Sequence, residues 1–295
     1  MIDQAATNIL KAIKVVVECG IPNVIDFYRS ENRINSVGDA LKLFAKDIFA
    51  DSVNINNLHQ KEEAHRKVFS WGGNANNPPD FMIKGGDAVE VKKITSTKSR
   101  IALNSSYPSA KLFANSPLLL SECRNCEDWQ EKDIIYCIGC IDGKDTNQRL
   151  SSLWLIYGDC YAASKDCYER IKATITQGIQ AISNVELSPT NELARVNKVD
   201  PLGITNLRVR GMWDIAHPAT LYSYLNLDSN QKSFPKSFQM IVLMTASKYN
   251  SFPNLDKEYI ELLKHQKHIG IRDIEIKSPN NTMQSILAKL FIYEI

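Results

Sequence analysis

The run Pro79-Asp80-Phe81-Met82-Ile83-Lys84-Gly85-Gly86-Asp87-Ala88-Val89-Glu90-Val91-Lys92 decides how this chain folds. Residues 81–84 read as a short strand, Gly85-Gly86 as a tight turn, and residues 87–94 as the returning strand. Side chains alternate along a strand, so Val89 and Val91 share one face while Ala88, Glu90 and Lys92 share the other. Burying the valines leaves Glu90 and Lys92 together on an open face, and the hairpin brings Asp80 back beside Glu90. Two carboxylates and an ammonium then occupy one small volume.

Outward from the hairpin the pattern stays legible. Upstream, Trp71-Gly72-Gly73-Asn74-Ala75-Asn76-Asn77-Pro78 is a loop by composition. Before it, Val37, Ala40, Leu41, Phe44, Ala45, Ile48 and Phe49 form a broad helical stripe that Asn35 or Ser36 can cap. Ile9, Leu10, Ile13, Val16 and Val17 mark an earlier helix, stopped by Gly20 and Pro22. Residues 62–69 add a short helix or lead straight into the sheet. Downstream, residues 134–141 and 152–157 are apolar runs of strand length joined by a turn at 142–145. Residues 164–182 form a helix with Tyr168, Ile171, Ile175, Ile179 and Ile182 on one face. Strands at 205–209, 238–244, 271–276 and 288–293, and a helix at 255–265, complete the chain. This order predicts an α/β fold with a mixed β-sheet core flanked by helices. With 295 residues and no repeat or clean linker, 1–295 is expected to be a single domain. Its catalytic core would span about 35–185, and a polar elaboration about 188–295.

The central cluster has a chemical use. Asp80, Glu90 and the Val91 backbone carbonyl are hard oxygen ligands of the kind Mg²⁺ prefers. Such a metal lowers the pKa of water and offsets charge building on phosphorus. Lys92 can orient or help deprotonate the attacking water and stabilise phosphate oxygens. A Glu-x-Lys pair alone is common on plain surface hairpins. Here the preceding Pro-Asp, the glycine turn and the alternating valines give it weight. Between Lys84 and Lys111 six basic residues stand against two acidic ones, a setting suited to a polyanion. Asp47, at the edge of the helical stripe, is expected to complete the catalytic set, with Asp39 and Glu63 as substitutes. An exposed aspartate on a helix flank is the plain alternative.

Composition removes several classes. With 35 Lys+Arg against 33 Asp+Glu, the net charge of +2 leaves a local cleft as the electrostatic route to nucleic acid. Apolar runs such as 241–244 are too short to span a bilayer, and Met1-Ile2-Asp3-Gln4 opens no secretory pattern. No membrane partner and a cytoplasmic location are therefore expected. Seven cysteines, an odd number, fit a reducing compartment. Cys123-x-x-Cys126 and Cys137-x-x-Cys140 have a spacing compatible with structural zinc. Cys137 and Cys140 fall inside an apolar strand, however, where thiols serve as small hydrophobes, so zinc is the lesser reading. The five histidines are scattered. Neither glycine pair begins a phosphate-cradling loop, so ATP use is not indicated.

Asp80, Glu90 and Lys92 together resemble the PD-(D/E)xK nuclease signature. The wider text is similar to one branch, the NgoPII-like type II restriction endonucleases. Three stretches carry this in the first half: Gly73-Asn74-Ala75-Asn76-Asn77-Pro78-Pro79-Asp80, Lys84-Gly85-Gly86-Asp87-Ala88-Val89-Glu90-Val91-Lys92-Lys93 and Ala102-Leu103-Asn104-Ser105-Ser106-Tyr107-Pro108. Further along come Tyr157-Gly158, Tyr161-Ala162-Ala163-Ser164, Thr190-Asn191-Glu192-Leu193-Ala194-Arg195-Val196-Asn197, Asp200-Pro201-Leu202-Gly203-Ile204-Thr205 and Arg208-Val209-Arg210-Gly211-Met212-Trp213. The similarity runs from about Asn35 to the last strand. The nuclease signature is moderately specific. The long polar strings are more so, because ordinary packing does not demand them. The resemblance implies a restriction-endonuclease-like fold and a Mg²⁺-dependent homodimer that cuts double-stranded DNA at the centre of GGCC. It also implies a cognate DNA methyltransferase, linked genetically and not as a complex. A palindrome is most economically read by a two-fold dimer.

For such a target, guanine O6 and N7 are best matched by arginine or lysine forks. The tract 191–213 holds Arg195, Lys198, Arg208 and Arg210 against Glu192 and Asp200. Arg208 and Arg210, two apart, project from one face of a strand. Asn197 and Asp200 could support an arginine or accept from cytosine N4. The plain alternative is that these arginines touch only phosphates or pair with acids at a subunit seam. Asn104, Ser105, Ser106 and Tyr107 follow the catalytic strand and suit phosphate or minor-groove contacts, with Lys111 on the DNA backbone. Arg33 and Asn35 are weaker candidates of the same kind. Two other functions stay open at this point: a structure-specific repair or junction-resolving nuclease of the same fold, and a non-cleaving DNA-binding protein.

Overall fold

A computed structural model describes residues 6–19, 37–74, 77–143, 148–183, 186–190, 192–225, 227, 237–267 and 269–295. Among them, one nine-stranded mixed sheet organises the chain. Its strands are β1 (Phe69–Trp71), β2 (Phe81–Ile83), β3 (Ala88–Ile94), β5 (Lys111–Phe113), β6 (Glu131–Asp142), β7 (Arg149–Tyr157), β12 (Gln239–Thr245), β13 (Gly270–Lys277) and β14 (Ser285–Glu294). The remaining strands are β4 (Ile101–Asn104), β8 (Glu186–Leu187), β9 (Ala194–Asn197), β10 (Leu207–Val209) and β11 (Trp213–Ile215). The main order is β1-β2-β3-β6-β7-β12-β14-β13, with β5 added to β6. The pairs β3·β6 and β7·β12 are parallel, and the other pairs in this sheet are antiparallel. The expected hairpin is present, with Phe81 opposite Val89 and Met82 opposite Ala88.

The longer helices are α1 (Ile9–Cys19), α2 (Val37–Ala50), α3 (Leu58–Val68), α4 (Lys165–Gln180) and α5 (Asn254–Lys267). Asn8 caps α1 through its side-chain oxygen, which accepts the Leu10 and Lys11 amides at 2.9 and 3.2 Å. Val89, Val91, Ile135, Cys137 and Leu155 lie in one core with residues of α1, α2 and α5. Full burial contributes about 1.5–3 kcal/mol for a side chain such as valine. The face of β3 that carries Glu90 is not open, contrary to the sequence expectation. A second core of Ala88, Ile134, Tyr136, Leu103, Leu112 and Tyr222 covers that side. Glu90 retains 9% exposure. Leu103 of β4 and Leu112 of β5 belong to this second core, and both strands are too short to announce themselves by period.

The mixed sheet flanked by helices is the architecture expected. Around and within the polar stretch 188–295, β8, just before it, forms a small antiparallel sheet with β9 and β10, and β11 pairs with β4, while β12, β13 and β14 return to the main sheet. α4 has no buried residue, and Ile171 and Ile175 of its apolar face are exposed. Cys137 and Cys140 belong to opposite cores. Among the described residues no group of three or more His, Cys, Asp or Glu could hold a metal, so zinc is not supported. No described helix is long and apolar enough to cross a membrane. The suggested cap at Asn35 or Ser36, the DNA candidates Arg33 and Asn35, and part of the 142–145 turn lie outside the described residues.

Candidate active site

Asp80 immediately precedes β2, at the end of the Asn-Pro loop. Gly73 makes that approach feasible: its φ is +83°, and a Cβ there would meet the Asp80 carbonyl oxygen at 2.0 Å. Trp71 Nε1 donates to the Pro79 carbonyl at 3.2 Å, holding the same loop. So fixed, Asp80 Oδ2 accepts the Val91 amide at 2.7 Å, tying the start of the hairpin to its return strand. Asp80 Oδ1 pairs with Lys42 Nζ from α2 at 2.6 Å. Glu90 Oε1 pairs with Lys92 Nζ at 2.8 Å, whereas Glu90 Oε2 is buried without a hydrogen-bond partner.

Each carboxylate therefore has its own lysine, in a site where both carboxylates are nearly buried. Burial, and then the charge of Asp80, raises the Glu90 pKa above its ordinary value despite the opposing pull of Lys92 and Lys42. Burial alone would lower Lys42, but its hydrogen bond and charge interaction with Asp80 carry it above the ordinary lysine value. These groups line a cleft of about 210 Å³, whose wall includes Val91, Asn104, Ser105, Ser106 and Tyr107. Tyr136 lies beside Glu90 in the β3·β6 register. Its hydroxyl accepts the Ser109 amide at 2.7 Å and donates to the Ser109 carbonyl at 3.1 Å, tying that wall to the sheet.

The sequence thus brings Asp80, Glu90, Val91, Lys92 and the 104–107 segment to one cleft. It does not bring Asp47. That carboxylate, fully buried between α2 and α3, meets Lys61 Nζ at 2.6 Å, His65 Nε2 at 2.7 Å and Ser52 Oγ at 2.6 Å. Asp39 and Glu63 are exposed and also lie off the cleft. Lys111 pairs with Glu131 and, at 3.5 Å, with Asp133 on β6. Lys42 is the residue that sequence reasoning missed. The available signal was weak: Lys42 and Lys46 stand one helical turn apart beside the apolar stripe, and Lys46 Nζ donates to the Gly72 carbonyl at 2.7 Å.

The arginine tract lies on the small sheet. Arg195 and Arg208 face each other across β9·β10, and Arg208 and Arg210 both reach Glu192. Asp200 accepts the Leu202 and Thr205 amides at 2.9 and 2.7 Å, so it organises its own loop. Asn197 donates to Ser188 Oγ. The small sheet connects to the cleft. Trp213 pairs with Asn104 across β11·β4 and packs edge-on against Tyr107 and Tyr168, which stack on each other. Tyr107 also donates to Glu169 at 3.0 Å.

Residues 7–277 match the family model described as NgoPII restriction endonuclease. The chain belongs to the NgoPII restriction endonuclease family. It is 42% identical over 288 residues to the type II restriction enzyme NgoPII of Neisseria gonorrhoeae, covering 98% of this chain and 100% of that relative. No solved structure matches. As an NgoPII family member the chain is a site-specific deoxyribonuclease. Restriction endonucleases typically use Mg²⁺, and the donor chemistry of the cleft fits that ion: two carboxylates and the Val91 carbonyl are hard oxygens, and Glu90 Oε2 is buried and unpartnered.

Proposed function

We propose that this restriction endonuclease hydrolyses phosphodiester bonds of double-stranded DNA at the centre of GGCC, with Mg²⁺ and as a homodimer. The observation that carries the chemistry is Glu90, buried beside a second carboxylate with one oxygen unpartnered. A buried anionic oxygen without a partner is costly, and a bound cation removes that cost. Asp80, Glu90 and the Val91 carbonyl would hold the ion, which would make water more acidic and offset charge on phosphorus. Lys92, restrained by Glu90, orients the attacking water and faces the phosphate oxygens. Lys42 holds the second oxygen of Asp80, and the Tyr136–Ser109 contacts keep the opposite wall in place. Asn104, Ser105, Ser106 and Tyr107 supply polar contacts to the DNA backbone.

Arg195, Arg208 and Arg210 are the proposed base readers, because an arginine fork matches guanine O6 and N7. Asp47, Lys111, Asn197 and Asp200 have no part in this proposal; their polar groups serve the local contacts described above. GGCC presents identical half-sites, which two copies related by a two-fold axis read with one surface used twice. A host carrying such an enzyme needs a methyltransferase of the same specificity.

Plasmid incubated with purified protein and Mg²⁺, with an EDTA control and sequencing of the fragment ends, tests this reading. Discrete ends at the centre of GGCC, lost in EDTA, are expected. Discrete ends elsewhere would keep the chemistry and discard the specificity. Cutting confined to branched or damaged DNA would favour the structure-specific nuclease, and binding without cutting the third reading. Light scattering of the free protein tests the dimer.

A further inference from the structure

The arginines assigned to base reading share a carboxylate. Glu192 Oε2 accepts from Arg208 Nε at 3.0 Å, while Oε1 accepts from Arg208 Nη2 and from Arg210 Nε, both at 2.6 Å. Glu192 is itself held. Its amide donates to Thr190 Oγ1 at 3.1 Å, and the next amide, of Leu193, donates to the Val209 carbonyl at 3.0 Å between the two arginines. The Glu192 side chain is 17% exposed, against 58% and 56% for Arg208 and Arg210. The carboxylate is thus the least exposed of the three groups.

We infer that Glu192 is a specificity-determining positioning residue: it fixes both guanidinium groups so that their outer edges are presented to DNA. This rests on the proposal that Arg208 and Arg210 contact DNA. A guanidinium has five N–H donors. Glu192 uses the inner Nε–Nη2 edge of Arg208 and leaves the Nη1–Nη2 end, the fork that a guanine edge needs. It uses only Nε of Arg210 and leaves that whole end. Ordering the side chains in advance removes rotamer loss from the binding step.

The same carboxylate limits indiscriminate attraction. Arg195 stands directly opposite Arg208 in the ladder, and like charges so placed repel. Three guanidinium groups would draw any phosphate backbone. Glu192 lowers their summed charge from +3 to +2 and restrains the two it touches, so a phosphate gains less from them than a correctly placed base edge does. The residue supports one class of contact and weakens the other.

The test compares wild type, Glu192→Ala and Glu192→Asp on two duplexes, one bearing the site mapped by plasmid cleavage and one scrambled. Ca²⁺ replaces Mg²⁺ to suppress cutting, and binding is measured over a salt series. For Glu192→Ala, affinity for the scrambled duplex should rise and its log–log salt slope should steepen by about one. Affinity for the site should fall about tenfold. Glu192→Asp, which keeps the charge, should retain the wild-type salt slope and recover part of the discrimination. Equal weakening on both duplexes with an unchanged salt slope would make Glu192 a scaffold residue and overturn the inference, as would wild-type behaviour of Glu192→Ala. If wild type itself prefers neither duplex, the site-reading proposal fails. The salt slope on scrambled DNA then decides separately whether Glu192 restrains the arginines.

Discussion

Glu90 is held where its ionised form is least favoured, by burial first and by the charge of Asp80 second. Its folded pKa lies above the ordinary value of 4.5. Relative to the unfolded chain it therefore adds stability below 4.5 and loses it as pH rises through the raised value. If Glu90 holds the metal as proposed, Glu90→Gln should cut cleavage by roughly 10³-fold, the equivalent of several kcal/mol of transition-state stabilisation. The same variant should melt higher than wild type at neutral pH in metal-free buffer, and that gain should shrink as the medium is acidified. A lower melting point at every pH would show that Glu90 serves the fold more than the chemistry. On the other carboxylate, Lys42 holds Asp80 Oδ1, and a dication bound as proposed would have to share Asp80 with that ammonium. Lys42→Met should tighten Ca²⁺ binding by about 1 kcal/mol, roughly fivefold. Calorimetry reads this without turnover, and weaker binding would instead make Lys42 a support for Asp80.

At the scale of elements, Gly73 and Asp80 are a single device. Gly73→Ala combines a left-handed φ with a Cβ overlapping the Asp80 carbonyl. The backbone strain alone is worth about 1–3 kcal/mol, and relief must displace Asp80, the proposed metal ligand. Cleavage should therefore fall much further than stability, and a parallel assay of turnover and urea unfolding separates the two. The hairpin around these residues was readable in advance because strand alternation and turn glycines are local signals. The position of Asp47 was not: it sits at the stripe's edge, and only the docking of α3, with Lys61 and His65, decides which neighbour it meets. The pairing of β4 with β11 joins residues more than a hundred positions apart through two very short strands, so neither period nor composition announced it. Likewise the helix α4 was legible but its packed face was not: Ile171 and Ile175 of the expected face are exposed, Lys172 and Thr176 are half-buried instead, and Ile182 lies beyond the helix end at Gln180.

Across the whole molecule, one half-buried cation holds several strand ends together. Lys248 Nζ meets Asp87 at 2.7 Å and Asp133 at 2.6 Å, and Tyr157 donates to Asp87 at 2.6 Å. The start of β3, the start of β6, the end of β7 and the short helix Ala246–Ser251 that follows β12 meet there. Burial raises the Asp87 carboxyl even against Lys248 and Tyr157, so the cluster depends on its lysine. Lys248→Met should cost roughly 3–5 kcal/mol, measured by urea unfolding, since it leaves the buried Asp87 carboxylate without its cation, while Asp133 keeps Lys111. Loss within experimental error would mean that water replaces the ammonium. The β11·β4 pairing has its own consequence at this scale. Trp213 follows Arg210 by three residues and pairs with Asn104 on the cleft wall. The proposed reading tract therefore cannot be lifted out as a cassette: a loop grafted from a relative of different specificity would unpick the strand that shapes the cleft. New targets must be reached by exchanging side chains in place, one contact at a time.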